Sequence, residues 1–128
     1  MPAENKITVW TPVFNGEKTL ERCIKSVLEQ SEEPFEYIIL DDCSNDNSLE
    51  IANRYAQKYS WIEVVENDKN RGAIANFNRI LKYARGDYLY AVAADDFTYE
   101  NTIANFSDAI KPLEDRWSKF ISKKDQNL

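Results

Sequence analysis

Residue types that can do chemistry occur in three short clusters, each of which directly follows an apolar run. The clusters are residues 11–16 (TPVFNG), 41–46 (DDCSND) and Asp95-Asp96. Their carboxylate and amide oxygens can bind a hard cation or accept hydrogen bonds from a ligand. Each cluster also has a structural explanation. Asn15-Gly16 is a common turn in which the glycine supplies a positive φ, and Asp or Ser caps helices.

The composition excludes several kinds of chemistry. The 128 residues include no histidine, which excludes a Ser-His-Asp triad, a Cys-His pair and any His-ligated zinc. Cys23 and Cys43 are too few for a disulfide framework or a cysteine zinc cluster. A formal net charge of −6 argues against a nucleic-acid partner, because phosphate binding relies on Lys and Arg.

The elements that must position these clusters follow from two alternating periodicities. Predicted strands are residues 6–12, 35–40, 61–66 and 88–93; predicted helices are 17–30, 46–59, 73–85 and a segment containing Ile103, Phe106 and Ile110. This βαβαβαβα order predicts an α/β fold with a mainly parallel sheet and helices on both faces, a Rossmann-like arrangement. Gly86 lies where the C′ glycine of the third helix is expected.

The parallel sheet predicts where the clusters meet. Ligands of open parallel sheets bind beyond the carboxyl ends of the strands, so Asp41-Asp42 and Asp95-Asp96 are expected on one rim. Repulsion among these carboxylates favours a bound divalent cation, and oxygen ligands favour Mg²⁺ or Mn²⁺ over zinc. No G-x-G-x-x-G or G-x-x-x-x-G-K-[ST] motif occurs, so a nucleotide would be held through its metal and its base.

The last part of the chain has a different pattern. We expect one α/β domain over residues 1–112, then an amphipathic helix and a frayed tail over 113–128. Pro112 would begin that helix, and an apolar stripe would dock on the sheet: Leu113, Trp117, Phe120 and Ile121. Without an apolar leader or an 18-residue apolar stretch, the chain is expected to be cytoplasmic, with no transmembrane segment. Peripheral membrane attachment and self-association stay open.

Five motifs in order resemble the nucleotide-binding half of a GT-A-fold, family 2 (inverting) glycosyltransferase. ITVWTPVFNGEKTLERCIKSVLEQ is similar to that family's first strand, P-x-[YF]-N loop and first helix. EYIILDDCSNDNS resembles its second strand with a D-D-x-S-x-D segment. NRGAIANFNRILKYARGDYLYAVAADD resembles its N-x-G helix, A-x-G-[DE]-Y turn and acidic D-x-D-like motif. The resemblance covers about residues 5–110.

The resemblance implies a nucleoside site. Pro12, Val13 and Phe14 would line the nucleoside pocket, and Asn15 would shape the same loop. Asp42 would accept a hydrogen bond from the base, most simply from N3–H of uracil. A UDP-sugar is therefore the expected donor.

The resemblance also implies a diphosphate and metal site. Asn70, Arg71 and Gly72 would approach the donor from the other side, where Arg71 meets the diphosphate. Asp95 would reach the ribose or a metal-bound water, and Asp96 would bind Mn²⁺ or Mg²⁺ between the phosphates. That cation would neutralise the diphosphate as it leaves, in an inverting transfer to an acceptor hydroxyl.

The sequence departs from the family pattern at two points. Ala93 stands where many members have an aspartate, and no carboxylate after residue 96 lies in a motif typical of a general base. The chain therefore resembles a donor-binding half without its acceptor half, whose acceptor could be a glycan, lipid or protein. One alternative is a non-catalytic or truncated module that binds sugar nucleotides. A receiver-type signalling domain with an acidic rim is a weaker one.

Overall fold

A computed structural model describes the backbone of residues 5–126 and the side chains of residues 5–119. Its strands are β1 (Ile7–Val13), β2 (Glu36–Asp41), β3 (Ile62–Glu66) and β4 (Tyr88–Ala91). Its helices are α1 (Leu20–Leu28), α2 (Ser48–Lys58), α3 (Ala73–Tyr83) and α4 (Thr102–Gln126). The predicted alternation of strands and helices is therefore confirmed.

The four strands form one parallel sheet in the order β3-β2-β1-β4. Trp10 of β1 pairs with Ile38 of β2 on one side and with Ala91 of β4 on the other. All six residues of β2 are buried, as expected for a strand covered on both faces. The residues of β4 at the edge of this sheet are half-buried or exposed.

Helices cover both faces of the sheet, as the sequence predicted. On one face α1, α2 and α4 pack on the sheet residues Ile7, Val9, Val13, Tyr37, Ile39 and Ile62. On the other face, a smaller cluster joins Ile80 of α3 to Trp10, Ile38, Leu40 and Val65. Alternate side chains of a strand point to opposite faces, so the apolar runs of β1 and β2 supply both cores.

The connection from α3 to β4 rests on one buried carboxylate. Glu36 is 2% exposed and accepts hydrogen bonds from the Thr8 hydroxyl at 2.8 Å and from Nε of Arg85 at 2.9 Å. It also accepts the backbone N–H of Arg85. Burial raises the pKa of Glu36, but these hydrogen bonds outweigh burial and leave that pKa below its ordinary value.

The expected role of Gly86 as a helix C′ residue is wrong. Helix α3 ends at Tyr83, and the glycine with a positive φ in the described residues is Gly72. A Cβ on Gly86 would lie 2.5 Å from Oγ1 of Thr8 and 2.6 Å from the carbonyl oxygen of Lys6. Gly86 therefore allows the backbone to approach β1 closely, which no periodicity argument reveals.

The expected helix boundary at Pro112 is also not observed. Helix α4 continues through Pro112 to Gln126. The fixed φ of proline is compatible with a helix, but the ring removes one N–H donor and crowds the carbonyl of Asp108. Leu113 and Trp117 are 58% and 63% exposed beside Tyr88, so this part of the predicted stripe is not buried. The side chains of Phe120 and Ile121, and residues 1–4 and 127–128 of the predicted domain and tail, lie outside the described residues.

Ile103 and Ile110 anchor the first half of α4 in the core, and Phe106 packs edge-on against Tyr88 and Tyr90. The division of the chain near residue 112 into a domain and a tail stays a prediction.

Over the described residues, no helix has the length and hydropathy that crossing a bilayer requires.

Candidate functional site

The order of the strands creates a switch point at β1. From β1 the chain moves to β2 and then β3 on one side, and α3 then crosses the sheet to β4 on the other side. Beyond the carboxyl ends lie the β1–α1 loop (residues 14–19), the β2–α2 loop (42–47), the β3–α3 loop (67–72) and the β4–α4 loop (92–101). A crevice at such a switch point is where open α/β sheets bind ligands.

Reciprocal hydrogen bonds join the β1–α1 loop to the β2–α2 loop. Asn15 donates its backbone N–H to the Ser44 hydroxyl at 2.9 Å and accepts the Asn45 N–H at 2.8 Å through Oδ1. The Glu17 N–H binds Asp46 Oδ2, while the carboxylate of Glu17 accepts the N–H of Asn47, both at 3.1 Å. The polar residues of these two loops therefore bind mainly each other, and Asn15 takes part in these bonds through both its backbone and its side chain.

The turn at Asn15-Gly16 differs from expectation in one respect. The positive φ, 51°, belongs to Asn15 rather than to Gly16. A Cβ on Gly16 would lie 2.8 Å from Cγ2 of Val13 and 3.3 Å from Cβ of Ala94. Gly16 is thus needed for a close approach between the ends of β1 and β4, beside the acidic pair.

Asp41 and Asp42 are neighbours in sequence but have separate surroundings. Asp41 is 1% exposed; its Oδ2 accepts the Ser44 N–H at 3.1 Å, and its Oδ1 has no partner among the described residues. Asp42 instead faces α3 and the β3–α3 loop. The two carboxylates therefore do not act as a pair.

Three donors hold the carboxylate of Asp42. Its Oδ1 accepts Nδ2 of Asn67 and the backbone N–H of Arg71, both at 2.8 Å, and its Oδ2 accepts the Gly72 N–H at 3.1 Å. Burial raises the pKa of Asp42, but these bonds and the amide of Asn76 outweigh burial and leave that pKa below its ordinary value. Asp42 is therefore an ionised hydrogen-bond acceptor at neutral pH.

Sequence reasoning missed the amides and the arginine behind Asp42. Asn67 is 1% exposed and donates Nδ2 to Oδ1 of Asn76 at 2.7 Å as well as to Asp42. Its Oδ1 accepts a hydrogen bond from the guanidinium of Arg79. A polar residue directly after β3 was the available signal, because β3 ends at the same rim as the other strands.

Asp95 and Asp96 are exposed in the β4–α4 loop. The Asp96 N–H closes a turn on the carbonyl of Ala93 at 2.9 Å. Arg22 of α1 donates to the carbonyl of Asp95 at 3.1 Å and lies 5.4 Å from the ring centroid of Phe97. The acidic segment is thus held by its backbone, while its carboxylates face solvent.

The expected rim of converging carboxylates is not observed as one cluster. Among the described residues, no group of three or more His, Cys, Asp or Glu side chains is arranged to hold a metal ion. Asp41 is buried toward α2 and Asp42 is bound to the β3–α3 loop, which leaves Asp95 and Asp96 as the exposed acidic pair. Their assignment as metal ligands stays a prediction.

The other residues predicted to bind the nucleotide-sugar donor differ in how exposed they are. Pro12 is half-buried, Val13 is 3% exposed within the core and Phe14 is 49% exposed on the rim. Asn70 is exposed, and Arg71 forms a surface ion pair with Asp68 at 2.9 Å. The side chain of Val13 therefore packs inward, whereas Phe14 and Arg71 are accessible.

Comparisons with known proteins agree with this architecture. A family model described as Glycosyl transferase family 2 matches residues 8–116. The poly(ribitol-phosphate) beta-glucosyltransferase of Bacillus spizizenii (strain ATCC 23059 / NRRL B-14472 / W23) is 38% identical over 95 residues, 72% of this chain and 15% of that protein.

Solved structures share the fold. The crystal structure of S. aureus TarS 1-349 in complex with UDP matches with a TM-score of 0.76 and 28% identity, over 83% of this chain and 32% of that one. The mannosyltransferase PcManGT from Pyrobaculum calidifontis, in complex with GDP-Man and Mn2+, matches with a TM-score of 0.72 and 23% identity, over 83% of this chain and 31% of that one.

The chain spans about a third or less of the length of these proteins. The family match begins in β1 and ends in α4, so it includes all four strands and all four rim loops. It also excludes the receiver-type alternative. The chain belongs to glycosyl transferase family 2.

Proposed function

We propose that this chain binds a UDP-sugar together with Mn²⁺ or Mg²⁺ and presents it for inverting glycosyl transfer to an acceptor hydroxyl. The family supplies the reaction class. The observation that carries the choice of donor is Asp42, an ionised acceptor held by three donors at the rim. The non-catalytic alternative has less support, because relatives with an assigned activity are named as transferases.

The base would bind at Asp42. The Oδ2 atom accepts one backbone N–H, and a carboxylate oxygen can accept a second hydrogen bond. Uracil offers N3–H as a donor, which suits an acceptor-only carboxylate. The complexes of TarS with UDP and with UDP-GlcNAc concern that protein and support the same choice for this one. Phe14, half-exposed at the end of β1, would cover the nucleoside beside Pro12.

The metal would bind at Asp95 and Asp96. Both offer only oxygen ligands and both are exposed, which fits a hard cation whose remaining ligands are diphosphate oxygens and water. When bound, the cation supplies positive charge that stabilises the leaving diphosphate. Arg22 holds the backbone of this loop through the Asp95 carbonyl, and Arg71 would add a second positive charge toward the diphosphate.

Titration calorimetry with UDP, in the presence and absence of Mn²⁺, tests the proposal directly. We expect UDP binding that Mn²⁺ strengthens, and a loss of that strengthening in Asp96→Asn. Asp108→Asn, at an exposed carboxylate of α4, is the matched control and should bind like the parent. A folded protein that does not bind at millimolar UDP with Mn²⁺ would overturn the proposal.

A further inference from the structure

Behind the candidate base-binding carboxylate lies a short chain of hydrogen bonds that ends at Arg79. The guanidinium of Arg79 contacts Oδ1 of Asn67 and donates to the carbonyl of Glu66 at 3.3 Å. Its aromatic neighbour Tyr83 lies 5.6 Å away, from the guanidinium carbon to the ring centroid. Arg79 is half-buried, whereas Asn67 is almost fully buried.

Arg79 determines which way the amide of Asn67 faces. The oxygen and nitrogen of an asparagine amide have nearly the same shape, so packing alone does not distinguish the two orientations. A guanidinium can only donate, and therefore Oδ1 of Asn67 must face Arg79. Nδ2 is then directed to Asp42 at 2.8 Å and to Oδ1 of Asn76 at 2.7 Å.

The opposite orientation of the amide would place an oxygen against two acceptors, Asp42 Oδ1 and Asn76 Oδ1. With the observed orientation, the side chain of Asn67 and the backbone N–H groups of Arg71 and Gly72, all in the β3–α3 loop, are donors to Asp42. These donors stabilise the ionised form of the Asp42 carboxylate and hold it in place. The carboxylate can then still accept a hydrogen bond from a ligand.

We propose that Arg79, acting through Asn67, is a positioning residue that fixes Asp42 as an acceptor and so selects a base with a ring N–H, such as uracil, over cytosine. The inference rests on the proposed function, because it requires the nucleotide base to meet Asp42. Cytosine has an unprotonated N3 where uracil has N3–H, and an amino group where uracil has its C4 carbonyl, so UDP and CDP differ along the edge of the base that would meet Asp42.

The experiment compares UDP and CDP binding by calorimetry, with Mn²⁺ present, for the full chain and three variants at residue 79. The parent should bind UDP at least about tenfold more tightly than CDP, the size expected for one hydrogen bond to a charged acceptor. Arg79→Ala and Arg79→Met, which have no side-chain hydrogen-bond donor, should lose most of that preference. Arg79→Lys, which still can only donate, should retain it.

Two controls separate selectivity from stability. Lys82→Ala removes an exposed cation from the same helix and should leave the UDP to CDP ratio unchanged. Pyrophosphate with Mn²⁺ should bind equally to the parent and all variants, because it has no base. Arg79→Met preserves much of the side-chain volume and therefore provides a folded comparison if Arg79→Ala unfolds.

The possible failures are distinguishable. A parent protein that binds neither nucleotide overturns the proposed function and this inference with it. A parent that binds UDP and CDP equally, or Ala and Met variants that keep the full preference, overturns the inference alone.

Discussion

Asp42→Ala is expected to destabilise the fold as well as weaken nucleotide binding, whereas Asp96→Ala should affect binding only. The carboxylate of Asp42 joins the end of β2 to the β3–α3 loop through Asn67, Arg71 and Gly72. Asp96 is exposed, and its backbone N–H, rather than its carboxylate, bonds to the carbonyl of Ala93. An unfolding experiment should therefore distinguish these two aspartates of the same candidate site, because only Asp42→Ala is expected to lower the stability.

The magnitude follows from what each donor loses. A hydrogen bond to a charged group contributes about 1.5–3 kcal/mol, so the loss of three such bonds gives an upper bound on the destabilisation. Water that replaces the carboxylate makes the actual loss smaller. Water can replace the carboxylate at Arg71 and Gly72, which are exposed and half-buried, and Asn67 keeps its bond to Asn76. We therefore expect Asp42→Ala to lower the free energy of unfolding by about 2–3 kcal/mol and Asp96→Ala to change it by less than about 0.5 kcal/mol.

Urea unfolding followed by tryptophan fluorescence at pH 7 measures both values. The folded state lowers the pKa of Asp42, so its contribution is present above the unfolded pKa of about 3.9 and is lost as pH falls through the folded value. The difference between the parent and Asp42→Ala should shrink over that acidic range. An Asp42→Ala protein that unfolds within 0.5 kcal/mol of the parent at pH 7, roughly the scatter of surface substitutions, would refute the reasoning.

Three further substitutions test the fold around the site. Glu36→Gln should lower the free energy of unfolding by about 2–3 kcal/mol at pH 7. Because the folded state lowers the Glu36 pKa, urea unfolding at several pH values should show this loss fading below about pH 4.3. Gly86→Ala should destabilise by about 1–3 kcal/mol in calorimetry, since its Cβ would meet Oγ1 of Thr8 at 2.5 Å. Pro112→Ala should raise the helical circular-dichroism signal and stabilise α4 by up to about 3 kcal/mol, because it supplies an N–H to the carbonyl of Asp108.

The sequence predicted the order of elements because each signal is local. Apolar alternation and helical spacing are properties of neighbouring residues, and the strand ends follow from them to within one or two positions. Within the predicted helix 17–30, residues at helical spacing are buried in α1: Leu20, Cys23, Ile24 and Val27. The continuous helix through Pro112 was missed because a proline inside a helix costs a hydrogen bond and a steric clash, so the sequence favours a helix boundary there.

The candidate site was harder to predict, because its geometry depends on which face each carboxylate takes. The parallel sheet suggested that Asp41 and Asp42 would join Asp95 and Asp96 on one rim. The first pair instead divides between the two faces of the sheet, as alternation along a strand requires. Asn67 is a single uncharged residue that lies outside the motifs named above. Its role became visible only when β3 and α3 placed it against Asp42.

The rim thus divides into a fixed half and a solvated half, which would make different contributions to donor binding. Asp42 is held by donors before any ligand arrives, so a base that matches it would bind without further ordering of the protein. Asp95 and Asp96 are exposed, and every nucleoside diphosphate presents the same phosphates to a cation held there. Under the proposed function, changes around Asp42 should therefore alter which nucleotide is chosen, whereas changes at Asp96 should alter affinity and metal dependence for all of them alike.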